Sequence, residues 1–158
     1  VAARTPAIQT WRNLHLANAV VRDELNTQLS EEAGCSLIEH DLLAWLAAAS
    51  GTRLRMLDLA TRLRVTPGGL TRIIDRLVDR GWIERDRPAD NRREVYATLT
   101  REGTAALRTA QVAYFRIIEE TFARHLDKQD LLVLGSIAEK LLHRLGADPA
   151  CQCPPSSG

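Results

Sequence analysis

Residues 57–100 read LDLATRLRVTPGGLTRIIDRLVDRGWIERDRPADNRREVYATLT, and the order of signals inside this stretch decides the fold. A short amphipathic run, Leu57 to Leu63, comes first. A second run is opened by Thr66-Pro67 and closed by Gly81. Two β-prone segments follow, Trp82 to Arg85 and Val95 to Leu99, around a polar loop holding Pro88, Asp90 and Asn91. Helix, turn, helix and hairpin in that order predict a winged helix-turn-helix.

The second run carries the most information. Thr66 suits the N-cap, and Pro67 suits the first helical position, where a missing N–H leaves nothing unpaired. Leu70, Ile73, Ile74 and Leu77 fall at i, i+3, i+4 and i+7 and predict one apolar stripe. The opposite face holds Gly68, Arg72, Asp75 and Asp79, with Thr71 and Arg76 at its edges. Gly68 and Gly69 weaken the helix by about 1 kcal/mol each against alanine. Bare backbone there lets the helix start lie against a groove, where Thr71 and Arg72 offer hydrogen-bonding groups. Asp75 is placed either to pair with Arg72 or Arg76 or to stand as a plain surface charge.

Charge is distributed accordingly. The chain has 158 residues, a formal net charge of +1, 45% hydrophobic and 26% charged residues. That composition fits one globular domain, with or without an extended dimerisation region. Between Arg53 and Arg93 stand eleven arginines and six acidic residues, while the rest of the chain is net acidic. Positive charge gathered on the reading element suits a polyanionic partner.

Outside this region the sequence is helical. Thr5 to about Leu29 is a long helix with Trp11, Leu14, Val21 and Leu25 near heptad spacing. Ser36-Leu37-Ile38-Glu39 is a capping box for a helix running to Ala49. Arg53-Leu54-Arg55 is too short to classify by pattern. Thr100 caps a helix reaching about Leu126, and Asp127 caps a last one whose stripe is Leu131, Leu134, Ile137 or Ala138, Leu141, Leu142 and Leu145. First and last helices this apolar imply a homodimer built from both chain ends.

Enzyme chemistry is not legible. There is no Walker loop, no Gly-x-Ser-x-Gly elbow and no His-Glu-x-x-His. His15, His40, His125 and His143 fall one per helix. His15 and His40, with Trp11, Trp45 and Arg53, are candidate liners of a small-molecule pocket. Cys151 and Cys153 lie in a Pro/Ser-rich tail and lack the further ligands of a metal site. Cys35 precedes a helix N-terminus, a position that lowers a thiol pKa, and is a candidate redox sensor. No run of about 18 apolar residues exists to span a membrane, and no signal-peptide pattern opens the chain, so a cytoplasmic protein is expected.

The stretches Val65 to Leu77, Arg80 to Arg85, Asp90-Asn91-Arg92-Arg93 and Leu99-Thr100-Arg101-Glu102-Gly103 resemble the MarR family of bacterial transcriptional regulators. The resemblance is specific over Leu54 to Gly103. It implies a DNA-reading dimer, a wing arginine in the minor groove, Arg53-Leu54-Arg55 as a third strand, and a small aromatic or phenolic acid bound between the dimerisation helices and the reading head. The family's wing tip reads Asp-Arg-Arg or Asp-x-Arg. Counting from Asp90 selects Arg92 as the wing arginine, and counting back from Leu99-Thr100 selects Arg93 with Asn91 at the acidic position.

The expected fold is all-α with a small β-wing. Residues 36–100 form the winged helix-turn-helix, residues 1–35 and 101–147 the helical dimerisation region, and residues 148–158 a disordered tail. Expected DNA contacts are Thr66, Pro67, Gly68, Gly69, Thr71 and Arg72, with Arg76 on phosphate and Arg92 or Arg93 in the wing, supported by Asp90 and Asn91. Expected partners are an operator duplex, a second copy of the chain and the acid effector, with no cofactor or metal. The alternatives are a winged-helix module for protein contact, distinguished by salt-insensitive binding, and a redox-sensing regulator acting through Cys35.

Overall fold

Residues 5–88 and 94–146 are described by the structure, a computed structural model. They form, in order, α1 (Pro6–Ala33), α2 (Leu37–Ala48), β1 (Arg53–Arg55), α3 (Met56–Leu63), α4 (Pro67–Asp79), β2 (Ile83–Asp86), β3 (Tyr96–Leu99), α5 (Arg101–Thr121) and α6 (Lys128–Arg144). The wing-tip residues Asp90, Asn91, Arg92 and Arg93, and the tail with Cys151 and Cys153, lie outside the described residues.

Local signals set most boundaries. Ser36 and Glu39 close the capping box of α2, and Asp127 and Asp130 close another on α6. α1 continues past Leu29 to Ala33, where Gly34 stops it in the left-handed conformation at φ 58°. α5 stops at Thr121, short of Leu126, because Phe122 leaves helical dihedrals and a 3₁₀ turn, Ala123–His125, follows.

The sheet is antiparallel with order β1-β3-β2. β1 pairs Leu54 with Ala97, so Arg53–Arg55 is indeed a third strand, on the side of β3 away from β2. Alternation along β3 sends Ala97 and Leu99 inward. The core joins Leu25 and Leu29 of α1, Leu42, Leu43 and Leu46 of α2, Leu59 of α3, the α4 stripe, Ile83, and Leu107 and Ile117 of α5. Each such side chain contributes about 1.5–3 kcal/mol over its exposed state.

One glycine is required by close approach. A Cβ on Gly103 would stand 2.1 Å from the Trp82 carbonyl oxygen. The first turn of α5 therefore lies directly on the hairpin's entry. Thr100 ties the same junction: its N–H donates to Trp82 O at 3.1 Å and its hydroxyl to Gly81 O at 2.7 Å. The hairpin is thus fixed to the scaffold at its base.

The chain ends behave differently from this head. No residue of α6 is buried. Trp11, Leu16 and Val20 of α1, Val112 and Phe115 of α5, and Leu132, Ile137 and Leu141 of α6 are all exposed. Among the described residues no helix is long and apolar enough to cross a membrane, and no group could hold a metal ion.

Candidate nucleic-acid interface

α4 is built as its sequence dictates. Thr66 Oγ1 accepts from Gly69 N–H at 3.1 Å, and Pro67 opens the helix. A Cβ on Gly69 would meet that hydroxyl at 3.1 Å, so glycine lets the cap close, whereas Gly68 faces open space. Leu70, Ile73, Ile74 and Leu77 are buried and fix the helix's rotation about its axis. Thr66, Gly68, Thr71, Arg72, Asp75 and Arg76 are thereby left on the exposed side.

The exposed side is neither uniform nor free. Thr71 Oγ1 donates to Pro67 O at 3.0 Å within the helix. Arg72 has no hydrogen bond or ion pair among the described residues. Arg76 Nε donates to Glu39 Oε1 of α2 at 3.1 Å. Arg80 lays its guanidinium 3.4 Å from the Trp82 ring centroid. Asp75 pairs with neither Arg72 nor Arg76 and is not a plain surface charge either. Its partner is Arg85 of β2, whose Nη2 also donates to Thr71 O at 3.3 Å. Strand alternation explains this, since Arg85 shares the side of Ile83, which packs beneath α4. The ion pair neutralises the acid on the reading face and ties helix to wing.

The wing's base is a second polar cluster. Arg53 stacks 3.9 Å from the Tyr96 ring centroid and pairs with Asp86. Arg55 Nε donates to Tyr96 Oη at 3.0 Å, and that hydroxyl donates to Glu94 Oε2 at 2.8 Å. Arg53 is therefore a strand residue bracing the hairpin. It does not line the cleft described next.

A cleft of about 640 Å³ lies where α2, α5, α1 and the end of α3 meet. His40 and Trp45 line it, joined by Arg22, Asp41, Arg62, Arg64, Tyr114 and Phe115. Trp11 and His15 do not. They stack on each other, centroids 6.0 Å apart, on the exposed part of α1. Arg22 is the α1 residue that reaches the cleft, and His15 stands seven residues earlier, about 10 Å along the helix. His40 is 1% exposed and lies flat on Tyr114, centroids 4.5 Å apart. Its Nδ1 lies 3.3 Å from Asp41 Oδ1, and its Nε2 has no partner among the described residues. Arg62 covers the Trp45 ring at 4.3 Å. The cleft thus combines stacked rings, cations and an unsatisfied imidazole nitrogen. Tyr114 and Arg62 escaped the sequence reading because their contacts join residues far apart in the chain.

Cys35 departs from expectation. It is buried, and burial, then the Glu39 charge, push its thiol up to about 12. Being next to a helix start does not compensate for losing solvent around a thiolate. At neutral pH the residue is a protonated, enclosed thiol, the reverse of what a redox sensor needs.

Comparison with known proteins bears on the fold and on the interface. A MarR family model matches residues 36–95. The repressor YetL of Bacillus subtilis is 30% identical over 111 residues, 68% of this chain and 66% of that one. The multiple antibiotic resistance protein MarR of Escherichia coli K12 is 29% identical over 85 residues, 54% of this chain, and the match spans 59% of that protein's length. The crystal structure of Sco3205, a MarR family regulator from Streptomyces coelicolor in complex with DNA, superimposes with a TM-score of 0.77 at 29% identity, covering 89% of each chain.

Proposed function

The chain belongs to the MarR family of transcriptional regulators, and on that premise we propose that it works as a homodimer reading a pseudo-palindromic operator in double-stranded DNA. The observation that carries this reading is α4. Its N-terminal turns present Gly68 bare and Arg72 without a partner among the described residues, while Arg76, Arg80 and Arg85 are each engaged within the fold. In this reading Thr66, Pro67, Gly68, Gly69, Thr71 and Arg72 meet the major groove and Arg76 meets phosphate. Arg92 or Arg93 enters the minor groove, braced by Asp90 or Asn91. The bare apolar face of α6 and the exposed apolar residues of α1 are where the second copy docks, joining residues 1–35 and 101–147 of both chains. Two-fold symmetry then sets half-sites about 34–36 Å apart.

The cleft is the effector site of this reading. Arg22, Arg62 and Arg64 supply positive charge, and Trp45, Tyr114 and Phe115 supply rings. Together they suit a small aromatic or phenolic acid. The cleft touches α1 and α5 on one side and the end of α3 on the other, so an occupant that prefers one setting of the heads shifts operator affinity. The reading is that of a regulator rather than an enzyme and needs no cofactor.

The test is selection from a random duplex library, followed by titration of the selected site. A pseudo-palindrome is expected, with affinity falling steeply as salt rises. Arg72→Ala is expected to cost about 1–3 kcal/mol and to relax one base pair per half-site. A panel of hydroxybenzoic acids should shift operator affinity in the wild type and not in Arg62→Ala. Salt-insensitive binding with no selected palindrome would favour the protein-contact alternative and sink the operator reading. An unresponsive wild type would remove the effector.

A further inference from the structure

Glu39 is the one buried carboxylate among the described residues, at 5% exposure. Its two oxygens do different jobs. Oε2 accepts from the Ser36 N–H at 3.0 Å and completes the α2 capping box. Oε1 accepts from Arg76 Nε at 3.1 Å and so reaches the recognition helix, 37 residues away in sequence. Arg80 Nη1 stands 3.8 Å from Oε2. Arg76 itself remains 54% exposed, and its terminal nitrogens have no partner among the described residues.

We propose that Glu39 is a positioning residue for DNA binding, holding Arg76 by Nε so that its terminal nitrogens are set toward a phosphate at the edge of the major groove. The proposal rests on the reading of the chain as a DNA-binding regulator. Guanidinium geometry makes it work: one N–H edge serves the protein carboxylate while the other serves an anion. A free arginine gives up rotamer freedom on binding, whereas one already fixed by a buried partner gives up less. Burial raises the Glu39 carboxyl pKa, but the hydrogen bonds from Ser36 and Arg76 outweigh that and hold it below its ordinary value. Glu39 is therefore charged when Arg76 needs it. A lysine in place of Arg76 has a single ammonium and cannot span both partners in the same geometry.

Electrostatics alone and positioning predict opposite signs for Glu39→Gln. Removing a negative charge near DNA strengthens binding if charge is all that matters. Losing the brace weakens it, because the glutamine amide keeps one acceptor and turns an N–H₂ toward the other donor. The experiment uses the full chain and its selected operator duplex, with thermal melting of each variant as a control. Glu39→Gln is expected to weaken binding about tenfold, the scale of one charge-assisted hydrogen bond. Its salt slope should stay unchanged, since Arg76 still neutralises phosphate once bound. Arg76→Ala should lower the slope by about 1 per half-site. In an Arg76→Ala background Glu39→Gln should cost nothing further. Arg76→Lys leaves Glu39 and the cap intact and should also weaken binding with the slope kept; this variant decides the matter if Glu39→Gln does not fold. Equal or tighter binding by a folded Glu39→Gln overturns the proposal, as does a full loss that persists without Arg76. If the wild type binds no duplex at all, the regulator reading itself falls, an outcome distinct from either of these.

Discussion

Helices α4 and α6 carry the same kind of apolar stripe and end in opposite places. Leu70, Ile73, Ile74 and Leu77 of α4 are all buried, within a core that also takes in side chains of α2, α3 and β2. Leu131, Ile137 and Leu141, from the apolar stripe of α6, are exposed, and no α6 residue is buried. A stripe states that a face is to be covered, not what covers it. The reading head finds its cover within one chain. The chain ends, where Trp11 is 65% and Leu145 is 78% exposed, leave theirs uncovered within the single chain.

Several substitutions would break or sharpen that contrast. The largest effect is expected from placing charges on α6. Ile137→Asp with Leu141→Asp should convert a dimer into a monomer in light scattering. Operator affinity should drop by about 10²-fold or more, since two half-site contacts are no longer joined. Circular dichroism should still report a folded head, because α6 contributes nothing to its core. A dimer that survives both aspartates breaks the comparison.

Glycine to alanine provides a smaller and sharper contrast, because its sign should differ between the junction of α5 with the hairpin and the uncovered α6. Gly103→Ala drives a methyl into the Trp82 carbonyl, 2.1 Å away on the existing backbone. A loss of about 2–4 kcal/mol is expected in chemical denaturation. In α6, a Cβ on Gly135 meets nothing within 4 Å. There the same change should add about 0.5–1 kcal/mol through helix propensity. A destabilised Gly135→Ala protein would mean that another backbone lies against that position.

The smallest effect concerns acid. Hydrogen bonds from Ser36 and Arg76, outweighing burial, hold the folded Glu39 pKa below its ordinary 4.5. Its contribution to stability is therefore complete above that value and disappears as pH falls through the folded pKa. Wild-type stability should decline on acidification below about pH 5, and Glu39→Gln should flatten that part of the profile. An identical acid limb in the two proteins would show that the carboxylate is not coupled to folding.

Much of this architecture was legible before any coordinates. Thr66 caps α4, Ser36 and Glu39 close their box, and Gly81 and Gly146 take positive φ at helix ends. These are contacts within a few residues, which local pattern reports directly. The pocket was half legible. His40 and Trp45 line the cleft, whereas Trp11 and His15 lie elsewhere on α1, because helix order along the chain does not say which turns of two packed helices meet. Cys35 shows the same limit. Its neighbour in sequence is a helix start, yet in space it is enclosed in the core with the Glu39 carboxylate nearby, and burial governs its thiol.

By itself, then, the sequence determined the order of elements, the rotation of α4 about its own axis and the gathering of arginines around it. Periodicity, caps and turn residues act over one or two helical turns, so a single reading of the chain contains them. Tertiary structure alone decided which polar groups meet: Glu39 with Arg76, Arg85 with Asp75, His40 with Tyr114, Arg53 with Tyr96. It also decided that α4 is covered and α6 is not. Arginine and glutamate side chains reach any of several neighbours, and nothing in their spacing along the chain selects one. The selection comes from the packed helices and strands, which bring one candidate within hydrogen-bonding distance and hold the rest away.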